Sequence, residues 1–232
     1  MHDLEFFPIS CTKYNVFSHL LAEEESAWMA DLGWDYAPIR EILVSCMNQN
    51  ILPGYVAIKN KEALGYSYFL LNRTKGSIGN MYVSRSNISQ HIADTLLSMS
   101  ISGLRDLPRI QRVEAQIMPF NDLNCTDIFI EKGFHYHRRS YLTLDLDEFS
   151  GCAASIPTVS IIPWHSSRIP QVAGIVLASY EKQIDAVICS DYRSPSGCES
   201  YLRSITDNPG CGTFIPEASF IAMDERNSPC AF

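Results

Sequence analysis

The residues best placed to do chemistry in this sequence run from Met81 to Asp94, MYVSRSNISQHIAD. Ile78 to Val83 is a short apolar run rich in β-formers and reads as a strand. Ile88, Ile92, Leu96 and Met99 then recur at three- and four-residue spacing, with Ala93 and Leu97 widening the stripe, which predicts an amphipathic helix. Ser86, Asn87 and Ser89 offer side-chain oxygens just ahead of it, as an N-cap requires. A strand that feeds straight into a helix start presents unpaired backbone N–H groups and the positive end of the helix dipole. That setting suits phosphate or carboxylate oxygens. Other chemistry is poorly represented. His135 and His137 stand two apart on a candidate strand without a third ligand, so no metal is expected. GxxxxGKS/T, HExxH and GxSxG motifs are absent.

The elements that must position this stretch form a βαβ unit between Lys75 and Phe134. Gly103 and Pro108 are expected to close the helix, and Val113 to Met118 to supply the next strand. One broad apolar helix face implies a mixed or parallel sheet covered by helices, with ligands at the C-terminal strand ends. Upstream, Phe6 to Ile9 reads as a first strand and Val16 to Met29 as a helix with Glu23, Glu24 and Glu25 on its wet side. A second helix, Ala37 to Asn48, has Pro38 in its first turn and Ile39, Ile42, Leu43 and Met47 as its apolar face. Tyr55–Ile58 and Leu64–Leu71 make a hairpin around the charged turn Lys59 to Glu62.

Composition limits the functions to consider. The chain has 232 residues, 46% hydrophobic and 19% charged, which is ordinary for a globular α/β protein. Its net charge of -8, without a basic run, argues against nucleic acid as a partner. No apolar run is long enough to cross a bilayer, and residues 1–20 lack a secretory pattern, so no membrane is expected and the expected location is cytoplasmic. The eight cysteines, none in a CxxC pair, read as reduced thiols; a Cys198–Cys211 bridge is the alternative.

The order helix, helix, hairpin, strand, capped helix, strand, helix, Gly-Phe resembles the GCN5-related N-acetyltransferase family over residues 5–147. IFIEKGFHYHRRSYLTLDLD is similar to that family's last helix, Gly-Phe turn and final strand, and MYVSRSNISQHIADTLL to the strand and helix that grip the coenzyme A pyrophosphate. The resemblance implies a mixed central sheet flanked by helices and transfer of an acetyl group from acetyl-CoA, or another acyl-CoA, to a small-molecule or peptide amine. It places coenzyme contacts at Met81, Val83, His91, Ile92, Ala93 and Asp94. The family's Gln/Arg-x-x-Gly-x-Gly/Ala pattern falls on Ile88, His91 and Ala93, and only Ala93 fits. His91 either narrows the loop, meets phosphate with its cation, or simply faces solvent. Many members carry a thiolate-protonating tyrosine where this chain has Phe129, which cannot donate a proton. Tyr82, Tyr136 and His135 are the substitutes. Glu114 is the candidate base, with Gln116 on the same strand face; alternatively it is an exposed strand residue. The departures leave open a catalytically weak or structural module of the same fold.

After Asp147 the chain begins again. Residues 148–155 are expected to be a linker, and 156–232 a partial second copy carrying the acceptor-side elements. Ile169 to Glu181 and Ser200 to Ile205 are helix candidates, and Phe220-Ile221-Ala222-Met223 parallels Tyr55-Val56-Ala57-Ile58. Its uncovered apolar strands imply packing on the first domain, on a second copy, or on residues of a longer parent.

Overall fold

The computed structural model describes residues 3–118, 120–145, 147, 159–208 and 213–231. The chain divides into two compact units, Met1–Tyr136 and His137–Phe232. The linker expected at 148–155 lies outside the described residues.

The first unit contains β1 (Glu5–Pro8), α1 (Ser18–Leu32), α2 (Ala37–Asn48), β2 (Gly54–Lys59), β3 (Glu62–Asn72), β4 (Lys75–Val83), α3 (Gln90–Arg105), β5 (Arg112–Ala115) and α4 (Thr126–Glu131). The five strands form one sheet in sequence order. β1 to β4 pair antiparallel, and β5 joins β4 in parallel across the α3 crossover, giving a mixed sheet. The two sheet faces are covered separately. Phe17, Leu20, Leu21, Leu43 and Met47 from α1, α2 and the turn before α1 pack on Val56, Tyr66 and Tyr82. Ile92, Ala93, Leu96, Leu97, Ile101 and Leu104 of α3 pack on Ala57, Ile78, Met81 and Val83. The unit is thus the mixed α/β fold that the hydrophobic periodicities predict.

Local chemistry explains the turns. Asn60 and Lys61, between β2 and β3, both take positive φ, the conformation a two-residue hairpin needs to match strand twist. Where Tyr68 pairs with Asn80 and Phe69 with Ile78, Gly79 is the extra residue of a bulge. A Cβ there would sit 2.1 Å from the Tyr68 ring. Three expectations are corrected. Gly103 does not close α3, which runs on to Arg105; its missing side chain instead makes room for the Tyr55 hydroxyl, 2.9 Å from where a Cβ would stand. The strand expected to reach Met118 ends at Ala115. The strand expected directly after Phe134 does not form: the described residues 135–145 have no regular secondary structure, and Leu142 and Leu144 are exposed despite their alternating pattern.

The second unit contains β6 (Ser160–Pro163), α5 (Ile169–Tyr180), α6 (Ile184–Ile188), α7 (Pro195–Asp207), β7 (Phe220–Met223) and β8 (Pro229–Ala231). Its sheet order is β6-β7-β8, all antiparallel. Trp164, Ile169, Val172, Val176, Leu202, Ile221 and Met223 form its core. Asp224 closes the β7–β8 turn, its carboxylate accepting from the Arg226 and Ser228 amides at 2.9 and 2.8 Å. The short strand β6 and the helix α6 are additions to what periodicity predicts. Cys198 carries a free thiol, and Cys211 lies outside the described residues.

Candidate functional site

β4 and β5 are paired only from Lys75/Arg112 to Ile78/Ala115. Beyond that point β4 continues through Gly79–Val83 with its β3-side ladder intact but no further pairing to β5. The unshared edge of β4 leads into a 3-10 turn at Arg85–Asn87 and then into α3, capped by the Ser89 hydroxyl, which accepts from the Ile92 amide. The result is a slot between two diverging strands that ends at the N-terminus of a sixteen-residue helix. Backbone amides along the strand edge suit an extended amide-containing arm, and the helix start suits an anion at its end.

Each predicted contact can now be placed. Met81 and Val83 are buried against α3, so β4 offers the slot its backbone there and not these side chains. Ile92 and Ala93 are also buried, on the inner face of α3. Asp94 accepts from the Gln90 amide at 2.7 Å. His91 is exposed, with its ring edge-on to Phe6 at 6.4 Å. Tyr82 is buried and its hydroxyl donates to Glu23 Oε1 at 3.0 Å; burial and that carboxylate push its phenol well above the usual range. Glu114 sits across from Ser77, near the start of β4, ion-paired with Lys75 and Arg112, while the α3 mouth lies at the other end of the strand. Val113, Ala115 and Ile117 do face the α3 core, as strand alternation requires. Tyr136 is exposed in the stretch without regular structure.

The segment after β5 reaches across the slot. Asn121, in the left-handed region at φ 61°, donates its amide to the Val83 carbonyl at 2.8 Å and accepts from Arg85 Nε at 3.0 Å. Gln90 at the helix start donates to the Asn124 carbonyl at 2.8 Å and accepts from its amide at 3.0 Å. Phe120 is buried with its ring edge-on to Trp28 and Tyr82.

Sequence reasoning missed the two acidic residues of α1 that face the sheet. Glu23 gathers the Tyr82 hydroxyl, the Ser84 hydroxyl at 2.8 Å and the Arg85 amide at 2.5 Å, and so fixes α1 to the β4–α3 turn. Glu24, expected on the wet side, is fully buried. Its carboxylate accepts from the Tyr66 hydroxyl at 2.5 Å, from Asn80 Nδ2 at 2.5 Å and from Trp28 Nε1 at 3.2 Å. Burial outweighs these donors and raises its pKa to about 7. The Tyr36 hydroxyl lies beside it in the same buried cluster. The signal was present: Phe17, Leu20, Leu21 and Glu24 share the i, i+3, i+4, i+7 stripe, so helical phase puts Glu24 on the apolar face.

Among the described residues no group of three metal-ligating side chains occurs, and no helix is long and apolar enough to cross a membrane. No protein-family model matches the chain, and no curated protein matches it. Solved structures do. The chain is similar to a GCN5-related N-acetyltransferase from Ralstonia eutropha JMP134, at 14% identity and TM-score 0.45, over 61% of this chain and 99% of that one. It is also similar to a predicted acetyltransferase, solved with acetyl-CoA, from Clostridium acetobutylicum, at 17% identity and TM-score 0.40, over 65% and 100%. A probable acetyltransferase matches at 16% identity and TM-score 0.42, over 62% and 97%.

Proposed function

We propose that the first unit is an acetyl-CoA-dependent N-acetyltransferase acting on a small-molecule or peptide amine. The observation that carries this reading is the slot where β4 and β5 separate and open onto the N-terminus of α3. A pantetheine arm has amides to pair with the free edge of Gly79–Val83, and its pyrophosphate has the helix start near His91. In the reaction the amine lone pair forms a C–N bond to the thioester carbonyl carbon, the C–S bond breaks, the nitrogen gives up one proton and the departing thiolate takes one. Most of the acceleration comes from placement and from backbone N–H groups polarising the carbonyl. Calorimetric titration with acetyl-CoA tests this. Saturable heat with slowed amide exchange over residues 79–92 is expected; neither effect at millimolar ligand would sink the reading.

A second reading, a coenzyme-binding or structural module of the same fold with little or no turnover, is favoured by the Asn121–Val83 and Gln90–Asn124 bonds that span the slot. Acetylation of any member of an amine panel above the uncatalysed rate would dismiss it. The second unit is, on this proposal, a copy of the first five elements without a coenzyme site of its own. Within its described residues every strand pair is antiparallel and none leads through a helix to a parallel neighbour. A cytoplasmic setting fits the free thiols of the six described cysteines.

A further inference from the structure

β4 stops pairing with β5 after Ile78, yet its free edge is occupied by the chain itself. The Ser84 amide bonds to the Leu64 carbonyl, so strand alternation gives the backbone groups of Tyr82 and Ser84 to β3 and turns those of Met81 and Val83 toward the slot. Residues 120–124 lie across that edge. Phe120 is buried in the core under α1 and α2 together with Tyr82, whereas Leu123, three residues on, is buried in the core under α3 together with Met81 and Val83. The chain therefore passes from one face of the sheet to the other at the place β5 has left. Two latches hold it there. Asn121 gives its amide to the Val83 carbonyl and is itself gripped by Arg85, which pairs with Asp31 of α1. Gln90 bonds the Asn124 backbone twice, donating to its carbonyl and accepting from its amide. Between the latches the backbone is unfavourable: Asn121 and Asp122 are consecutive non-glycine residues with φ 61° and 53°. Such a pair persists only while its surroundings hold it.

We propose that residues 120–124 are an autoinhibitory strap: latched, they take the place of an extended amide-containing arm on β4, and a ligand enters the slot only after the strap lets go. The strap imitates what it excludes. The Asn121 carboxamide puts an N–H on a strand-edge carbonyl, as an amide of such an arm would. The inference rests on the acyltransferase reading for the identity of that arm, the pantetheine of an acyl-coenzyme A. The latches are polar side chains, exposed at Gln90 and Arg85 and half-buried at Asn121, so water replaces their bonds at modest cost. β4 and α3 are held instead by the apolar core they share, and Phe120 and Leu123 keep the opened strap near its seat. Release thus frees the Val83 carbonyl without unfolding the unit. Because the bound state has the strap open, a weaker latch raises the fraction of molecules able to bind and so the association rate, but leaves the dissociation rate alone. A strap that merely shaped the slot would do the opposite: loosening it would speed dissociation.

The test reads latch and ligand separately in the full chain. Asn121→Gly removes one latch and suits the left-handed backbone, Gln90→Ala removes the other, and a double variant removes both. Exchange of the Asn124 amide is followed by NMR without ligand, and acetyl-CoA association and dissociation by stopped flow. Without ligand the Asn124 amide should exchange by local opening, about ten-fold faster or more in Gln90→Ala, while β3 and α3 stay protected. Acetyl-CoA should associate a few-fold faster with each single variant and about 10- to 100-fold faster with the double, as the loss of three ordinary hydrogen bonds implies, with dissociation unchanged. Should the double variant not fold, the single variants carry the same comparison. The inference is overturned if acetyl-CoA leaves the variants faster without arriving faster, if the Asn124 amide exchanges only with global unfolding, or if it stays protected in the complex. Faster strap opening in the variants with acetyl-CoA binding to none of them upholds the latch and removes the coenzyme reading. Acetyl-CoA binding to wild type and double variant at one rate does the reverse.

Discussion

The first five elements of unit one and the elements of unit two solve the same packing problem. In the first unit Pro8 pairs with Tyr55 and Phe6 with Ala57; in the second Pro163 pairs with Phe220 and Ile161 with Ala222. The next hairpin breaks register between Ala57 and Ile58 in one, and between Ala222 and Met223 in the other. Burial along residues 17–26 of the first unit is repeated position by position along 169–178. Trp28 stacks on Tyr36 at 4.8 Å, and Tyr180, at the matching place, stacks on Tyr192 at 4.2 Å. What differs is the pair of residues turned toward the sheet. Glu23 and Glu24 in α1 correspond to Ile175 and Val176 in α5. The second unit fills these positions with aliphatic side chains, whereas the first unit uses carboxylates that bond to the sheet and to the β4–α3 turn.

The comparison breaks if the two sites tolerate each other's residue. Val176→Glu puts a carboxylate into a core without the Tyr66, Asn80 and Trp28 donors, and should cost about 3–5 kcal/mol. Loss of amide-exchange protection at Ile221 in the full chain reads this out. A change below 1 kcal/mol would mean that unit two already holds a polar site, and the contrast would fall.

Glu24 itself gives the next largest effect. Its folded pKa, about 7, is raised above the ordinary 4.5. Its contribution to stability is therefore complete below pH 4.5 and is lost as pH rises through 7, a fall of about 3 kcal/mol across that window. Exchange protection of the β3 amides should follow that slope in the wild type and stay flat in Glu24→Gln. Protection in unit two, with Val176, should show no such slope.

Glu23→Ala removes the acceptor of three bonds that hold the β4–α3 turn, with an expected cost of about 1–3 kcal/mol. Faster exchange of the Arg85 amide, with α3 otherwise protected, is the signature. If the turn stays protected, Glu23 is not what anchors it.

The smallest effect sharpens the reading of the slot. Asn121→Gly loses the bond to the Val83 carbonyl but relieves a left-handed residue, so stability should change by less than about 1 kcal/mol. Acetyl-CoA affinity should rise a few-fold once that carbonyl is freed. Unchanged affinity would show that Asn121 does not compete with the ligand.

Much of the first unit was readable from periodicity because its signals are local. Ala37–Asn48 emerged with the expected bounds, and α3 took Ser89 as its cap. Phe220–Met223 likewise formed as the strand its likeness to Tyr55–Ile58 predicts. Errors arose where a local cue had a non-local use. Gly103 looks like a helix stop, yet it is the gap into which Tyr55 fits. The alternation around Leu142 and Leu144 suits a strand, yet residues 135–145 take no regular secondary structure. Glu23–Glu25 looked like a solvated run because charge type was weighed above helical phase.

The sequence by itself determined the element order of the first unit from β1 to α4, the Ser89 cap, the charged hairpin turn and the hydrophobic pattern of a mixed sheet covered by helices. Each of these depends on neighbours within a turn or two of the chain. Only the tertiary structure decided that β4 and β5 part after Ile78 and Ala115, and that Glu24 meets Tyr66 and Asn80 from 42 and 56 residues away. Where strands diverge, and which donors a buried carboxylate finds, follow from how whole elements pack. No residue carries that information in its own type or spacing.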